Sequence, residues 1–483
     1  MEEKTQWGSI FTFILAMIGL TIGIGNIWRF SYVLYSNGGG SFFIPYLIAI
    51  LVMGIPFLIL EYGLGFSFKK SFSNLMHSIR PEFEIVAWIL VLLVFIVVIY
   101  YMVIIGWDFV YLLNSFNYGW GNDPSSFFTS NVGGSSNLAS ATTIMFPTLI
   151  CTLLLWAIFW VVSIKGVDKG IGKLSSVLIP LLFIIMSIVF VFAFTLPGSY
   201  IGITTLITPD WSALLNINVW LAAFGQIIFS LSIGQAMVYT YAIYLPKNTK
   251  LVDEVLLVVV ANSIYEIFTA FGVFSILGHM SLTSSIPMNE LISEGTGLIF
   301  IVFPQIFNTM RPVGYILAPL LFISILFAGF TSSFALFEPL LSSICDKFGW
   351  SRKKGVTVLT IVACAVTILY STGISSYLVK IVDGFVNNFG ILILIGIQAI
   401  IIGWFYGVEK VIPVLNEFST FKVGKTWVFT IKYLLPILLI GVWVFGLAEL
   451  FNGANSLEIM VDLIITIIVV GLSILLTKLS PNT

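Results

Sequence analysis

The chain has 483 residues, 59% of them hydrophobic and only 9% charged, with a net charge of −1. Soluble globular domains carry roughly a quarter of their residues charged, so this composition excludes a soluble enzyme or binding domain. The near-neutral balance gives no sign of a nucleic-acid partner. Uncharged runs such as 85–107 and 384–408 reach the ~20 residues that cross a hydrocarbon core as a helix. The expected fold class is an all-α membrane protein.

The opening MEEKTQWGS is short and acidic, and no A-x-A-like cleavage site follows the first apolar run. That run is therefore expected to stay in the mature protein. Polar loops divide the chain into 12 predicted spans, α1–α12, over residues 10–35, 41–67, 85–114, 144–163, 174–195, 215–244, 255–278, 312–345, 356–372, 378–406, 431–449 and 459–477. With this alternation, 18 of the 21 Lys and Arg fall on one side, the exceptions being Arg29, Arg311 and Lys380. The basic side is the cytoplasmic one, which predicts a multi-pass protein of the cell membrane with both termini inside. Two long connections, 117–143 and 279–310, then face outward. The second reads equally as a surface loop or as a helical hairpin over an outer vestibule. Cys151, Cys345 and Cys364 lie in or beside apolar runs and read as small buried side chains.

Two spans are interrupted where a membrane helix should be seamless. In α1, GLTIGIGN places Gly19, Gly23 and Gly25 in eight positions, and in α6, FSLSIGQA places Ser230, Ser232 and Gly234 together. Glycine costs about 1 kcal/mol in a helix interior, and lipid cannot satisfy freed backbone groups. Such breaks persist where they line a cavity. Single glycines also serve close helix packing, but α1 and α6 open two successive groups of five spans. Matching breaks in two halves point to an inverted-repeat transporter with its site at mid-membrane. The expected organisation is a transport core over 1–406, built from α1–α5 and α6–α10. Two further helices over 407–483 either support a homodimer or pad the bundle.

The segments GxxxGxGNxWRF, NGGGSFFIPY and GIPFLILEYGLG closely resemble the neurotransmitter:sodium symporter family, in particular its prokaryotic amino acid transporters. The resemblance runs from Trp7 to about Phe405 and continues in order through IYYMVIIGW, GQIIFSLSIGQA, ANSIYEI, FAGFTSSFALFEP and VDGF. It implies a sodium-coupled symporter, not an enzyme, working by alternating access on one or two Na+ ions. Sodium favours a small cage of mostly neutral oxygens, the hard-cation logic of calcium and magnesium. Asn26, Ser230 and Asn262 with the Thr21 carbonyl have that chemistry, and the resemblance assigns them to a first sodium site completed by the substrate carboxylate. It assigns Thr331 and Ser332, with the carbonyls of Ala328, Gly19 and Ile22, to a second. By themselves those hydroxyls would more often bond back to their own helix.

Between the breaks, half-helix N-termini offer N–H groups to a carboxylate, and Gly23 and Gly25 let it approach closely. Monoamine carriers of the family tend to have an aspartate at the Gly23 position, so its absence here implies a substrate that brings its own carboxylate, an amino acid. The resemblance makes Tyr101 a donor to that carboxylate and, with Phe229, the lid above it. Val97, Ser232, Gln235, Ser332 and Leu336 are expected to line the side-chain pocket. The sequence departs from the family at Gln235, usually aromatic or apolar, and at Ala236, often glycine.

Charges inside the membrane are functional by default. Arg29, about 4.5 Å beyond Asn26 along the helix, and Asp383 resemble the outer ionic gate, and Lys4 with Asp346 the inner one. Glu266 stands one turn from Asn262, where chloride-dependent members have a neutral residue. Chloride-independent transport is therefore expected, with Glu266 taking a proton when the site empties. Glu61 is expected to satisfy the broken backbone of α6. A proton-coupled carrier or exchanger would need a base in mid-α5, which LSSVLIPLLFIIM lacks. A non-transporting substrate receptor is the other alternative. An intramembrane enzyme has no support, since His77 and His279 are the sole histidines and no catalytic pair converges in the spans.

Overall fold

The computed structural model describes residues 7–292, 295–453 and 455–479. Apart from one isolated bridge between Ile144 and Thr372, every regular element among them is helical. Among the described residues, ten helices are long and apolar enough to cross a membrane. They are α2 (Gly39–Phe68), α3 (Pro81–Ser115), α4 (Phe146–Ser163), α5 (Val167–Phe194), α7 (Leu251–Ser284), α8 (Gly314–Phe348), α9 (Arg352–Ser371), α10 (Ser375–Phe418), α11 (Lys425–Gly446) and α12 (Ser456–Lys478). The α1 span is a bent pair, Ile10–Thr21 and Gly25–Ser36, at 69° to one another. The α6 segment is likewise two pieces, Ile217–Ser230 and Met237–Ala242.

Local chemistry accounts for both breaks. The first half of α1 is capped by the Ser9 hydroxyl, which accepts from the Thr12 N–H, and it ends where Ile22 turns extended at φ −82°, ψ 93°. In α6, Ser232, Gly234 and Ala236 all take positive φ, at 52°, 72° and 61°. Three left-handed residues in five positions cannot continue a right-handed helix.

Burial separates scaffold from periphery. The most apolar windows of α3 and α8 are 78% buried, whereas that of α12 is only 11% buried and its sides face outward. At 35 residues α8 is about 52 Å long and packs along α3, α5 and the first half of α1. It is the rigid wall against which the breaks are presented. The connection after α7 starts later than predicted: the helix runs on to Ser284, with the hydroxyls of Thr283 and Ser284 bonded back to the His279 and Met280 carbonyls. It then forms short helices over Met288–Leu291 and Leu298–Thr309.

Candidate functional site

Where a helix stops, its last carbonyls lose their partners. At the end of the first half of α1, the Gly19 and Ile22 carbonyls meet two hydroxyls of α8. Ser332 Oγ lies 2.9 Å from the Gly19 oxygen, 3.3 Å from Ile22 and 3.1 Å from Ala328. Thr331 Oγ1 lies 3.3 Å from the Gly19 oxygen and 3.0 Å from Ala328. The five oxygens assigned to the second sodium site thus converge. Thr331 Oγ1 also lies 2.9 Å from the Phe327 carbonyl of its own helix, so two hydroxyl protons are shared among four carbonyls, and the cluster is rich in acceptors and fits a hard monovalent cation. Among the described residues there is no group of three or more His, Cys, Asp or Glu suited to a transition metal.

The second half of α1 begins with a polar knot. Asn26 Oδ1 accepts from the Gly23 N–H at 2.9 Å, and its amide nitrogen donates to Asn262 Oδ1 at 2.9 Å and Glu266 Oε1 at 3.2 Å. Asn262 donates in turn to Ser230 Oγ at 2.6 Å. The side chains expected at the first sodium site are therefore side by side and buried, and the Thr21 backbone lies at the adjoining break. Glu266, with no exposed surface, also accepts from Tyr46 Oη at 2.6 Å and Gln226 Nε2 at 2.9 Å. Tyr46 and Gln226 were not expected from the sequence. Each stands in a long apolar run with no local mark of its role.

A cavity of about 790 Å³ opens beside these groups. Its wall includes Gly23, Gly25, Val97, Tyr101, Phe229, Ser232, Gln235, Ser332 and Leu336. It rises to Ser136, Thr296 and Lys380, in the loops and helix end away from the basic side. Tyr101 Oη accepts from the Ile24 N–H at 3.1 Å, which leaves its own proton for a ligand. The glycines prove to be sites of close approach. A Cβ on Gly25 would sit 2.1 Å from the Phe229 ring, and one on Gly23 would sit 3.0 Å from Tyr101 Oη. Above the ring, the Arg29 guanidinium stacks 4.7 Å from its centroid. Asp383 lines the same cavity and accepts from Tyr100 Oη at 2.7 Å and Asn387 Nδ2 at 2.9 Å. Neither partner was singled out in the sequence.

The unwound stretch of α6 is held from both sides. Glu61 Oε2 accepts from the Gly234 N–H at 3.2 Å, and Gln398 Nε2 donates to the Gly234 carbonyl at 2.8 Å. At the basic end, Trp7 ties α1 to the chain after the α6 break. Its backbone N–H donates to the Tyr244 carbonyl and its indole to the Tyr241 carbonyl, both at 3.1 Å. Arg352 makes a two-pronged pair with Glu338 of α8, one arm at 3.1 Å, and also reaches the Ser163 carbonyl at 2.8 Å. Lys347 pairs with Glu84 at 2.6 Å. Asp346 accepts from the Ser71 N–H at 2.9 Å, whereas Lys4, its expected gate partner, lies outside the described residues. The Glu338–Arg352 and Glu84–Lys347 pairs were missed, because their members are separated by helix turns and loops that sequence spacing does not bring together.

Comparison with known proteins bears directly on this arrangement. A model of the sodium:neurotransmitter symporter family matches residues 4–143 and 122–474. The chain belongs to that family. It is also 36% identical over 441 residues to an uncharacterized sodium-dependent transporter of Methanocaldococcus jannaschii, covering 91% of this chain and 90% of that one. Membership of the sodium:neurotransmitter symporter family makes the chain a sodium-dependent membrane transporter, and the helical fold with its two broken segments is that of a transporter.

Proposed function

We propose that this chain is a chloride-independent, sodium-coupled amino acid symporter of the cell membrane. The observation that carries the reading is the two-sided break in α1. On one side, its orphaned carbonyls meet the Thr331 and Ser332 hydroxyls. On the other, the N-terminus of Gly25–Ser36 and the hydroxyl of Tyr101 face the cavity. A zwitterion suits this pairing: its carboxylate would take the Gly25 N–H at the helix start and the Tyr101 proton and complete the ion shell around Asn26, Ser230 and Asn262. Each ligand then finishes the other's site, and linkage requires each to raise the other's affinity.

The seal at the basic end and the cavity reaching the opposite loops support an outward-facing state. Counting each broken pair as one crossing gives 12 spans, with 1–406 as the inverted-repeat core, 407–483 as added helices and both termini cytoplasmic. Alternating access would move α1, α2, α6 and α7 against the remainder, with Arg29 and Asp383 closing above Phe229. Three donors, from Asn26, Tyr46 and Gln226, already converge on the Glu266 carboxylate. A fixed carboxylate there takes the place of an anion from solution.

The test is uptake of labelled amino acids by reconstituted liposomes under an inward sodium gradient, against potassium, each with and without chloride. Sodium-driven, chloride-indifferent accumulation is expected, and Glu266→Ser should make uptake rise with chloride. Accumulation driven by protons but indifferent to sodium would refute both ion sites. Binding without uptake would favour the receptor alternative.

A further inference from the structure

Two polar side chains in the cavity are unused by the ion and carboxylate sites. Gln235 is only 6% exposed, yet its side-chain amide makes no hydrogen bond among the described residues, and it lines the cavity as well as a neighbouring one beside α10 and α11. Ser232, three residues earlier in the same unwound stretch, presents a hydroxyl to the same space with no partner of its own. Their neighbours on the wall, Val97, Ile104 and Leu336, are apolar. Water can satisfy the amide while the cavity is open. Once Phe229 and Tyr101 close over a substrate, a buried amide with no partner carries its full desolvation penalty.

We infer that Gln235 and Ser232 determine side-chain specificity, and that the substrate is an amino acid with a neutral carboxamide or hydroxyl side chain. This rests on the amino acid symport reading of the same site. An amide and a hydroxyl are each both donor and acceptor, and a carboxamide or hydroxyl answers both. An aliphatic side chain would strand them. A charged one would need a counter-ion, and the charged residues that line this cavity, Arg29, Lys380 and Asp383, belong to its outer part, on the far side of Phe229 or at the mouth. Sites built around hydrogen-bonding groups reject analogues that lack them far more strongly than apolar pockets reject an extra methylene.

The experiment is sodium-driven uptake by liposomes of labelled glutamine, asparagine, serine and threonine, set against leucine, valine, lysine and glutamate. The first four should be preferred. Gln235→Leu should lower the ratio of their uptake efficiency to that of leucine by at least about tenfold. Gln235→Met, similar in length but without the amide, should do the same and covers the case in which the leucine variant fails to fold. Preference for aliphatic or charged amino acids, or an unchanged ratio in both variants, overturns the inference while leaving sodium-coupled symport standing. Absence of sodium-driven uptake for every amino acid overturns both readings.

Discussion

Ser332 illustrates how little of a site one residue carries alone. Its hydroxyl is a back-bonding group of the kind found in many membrane helices, and it does lie 3.1 Å from the Ala328 carbonyl of its own helix. What changes its role is the end of another helix, which delivers the Gly19 and Ile22 carbonyls to the same point. Replacing Ser332 with Ala, or Thr331 with Val, removes one oxygen of five. The sodium concentration for half-maximal uptake should rise about tenfold in either variant, measured on the same liposomes at saturating substrate. Gly25 is constrained differently. With a Cβ placed 2.1 Å from the Phe229 ring, Gly25→Ala must displace the aromatic lid. Uptake should fall roughly tenfold to a hundredfold with little change in melting temperature, since the ring rather than the backbone gives way.

At the scale of elements, the broken helices are held open by partners on intact ones. Glu61 of α2 and Gln398 of α10 satisfy the two backbone groups of Gly234, so the polar backbone freed by the break is not left bare in an apolar interior. Elsewhere small residues set how closely helices pass. The short helix Ser199–Ile207 crosses α7 so tightly that a Cβ on Gly202 would lie 1.7 Å from the Phe274 carbonyl oxygen. Here the obstacle is backbone, which cannot turn aside. Gly202→Ala should therefore destabilise the protein by about 1–3 kcal/mol, read as a lowered melting temperature in detergent. A variant melting like the parent would show that this crossing is looser than the geometry implies.

For the whole molecule, opposite ends behave differently. One end is open through the cavity, and the other is closed by Trp7 against the chain after α6 and by ion pairs anchored on α3 and α8. Glu338 is 1% exposed and pairs with Arg352. Arg352→Ala should cost roughly 3 kcal/mol by stranding a buried carboxylate, and adding Glu338→Leu should recover most of it. A double-variant cycle on melting temperature separates this from simple loss of side-chain packing. The same two variants should loosen the basic end, seen as faster labelling of a cysteine introduced at Ser342.

The sequence by itself determined the membrane class, the long apolar helices and the two interruptions, because these depend on local quantities: apolar run length and helix-breaking residues. It also named polar side chains that the structure brings together around the break in α1, but through resemblance rather than spacing. What only the tertiary structure decided is who meets whom. Tyr46 and Gln226 reach Glu266 from α2 and α6, Tyr100 of α3 reaches Asp383, and Arg352 pairs with Glu338 across a turn. None of these residues differs in its own segment from ordinary polar or aromatic positions. Their roles arise because a buried donor or acceptor must find a partner wherever packing brings one, and packing joins Tyr46 to Glu266 and Tyr100 to Asp383 across 220 and 283 positions.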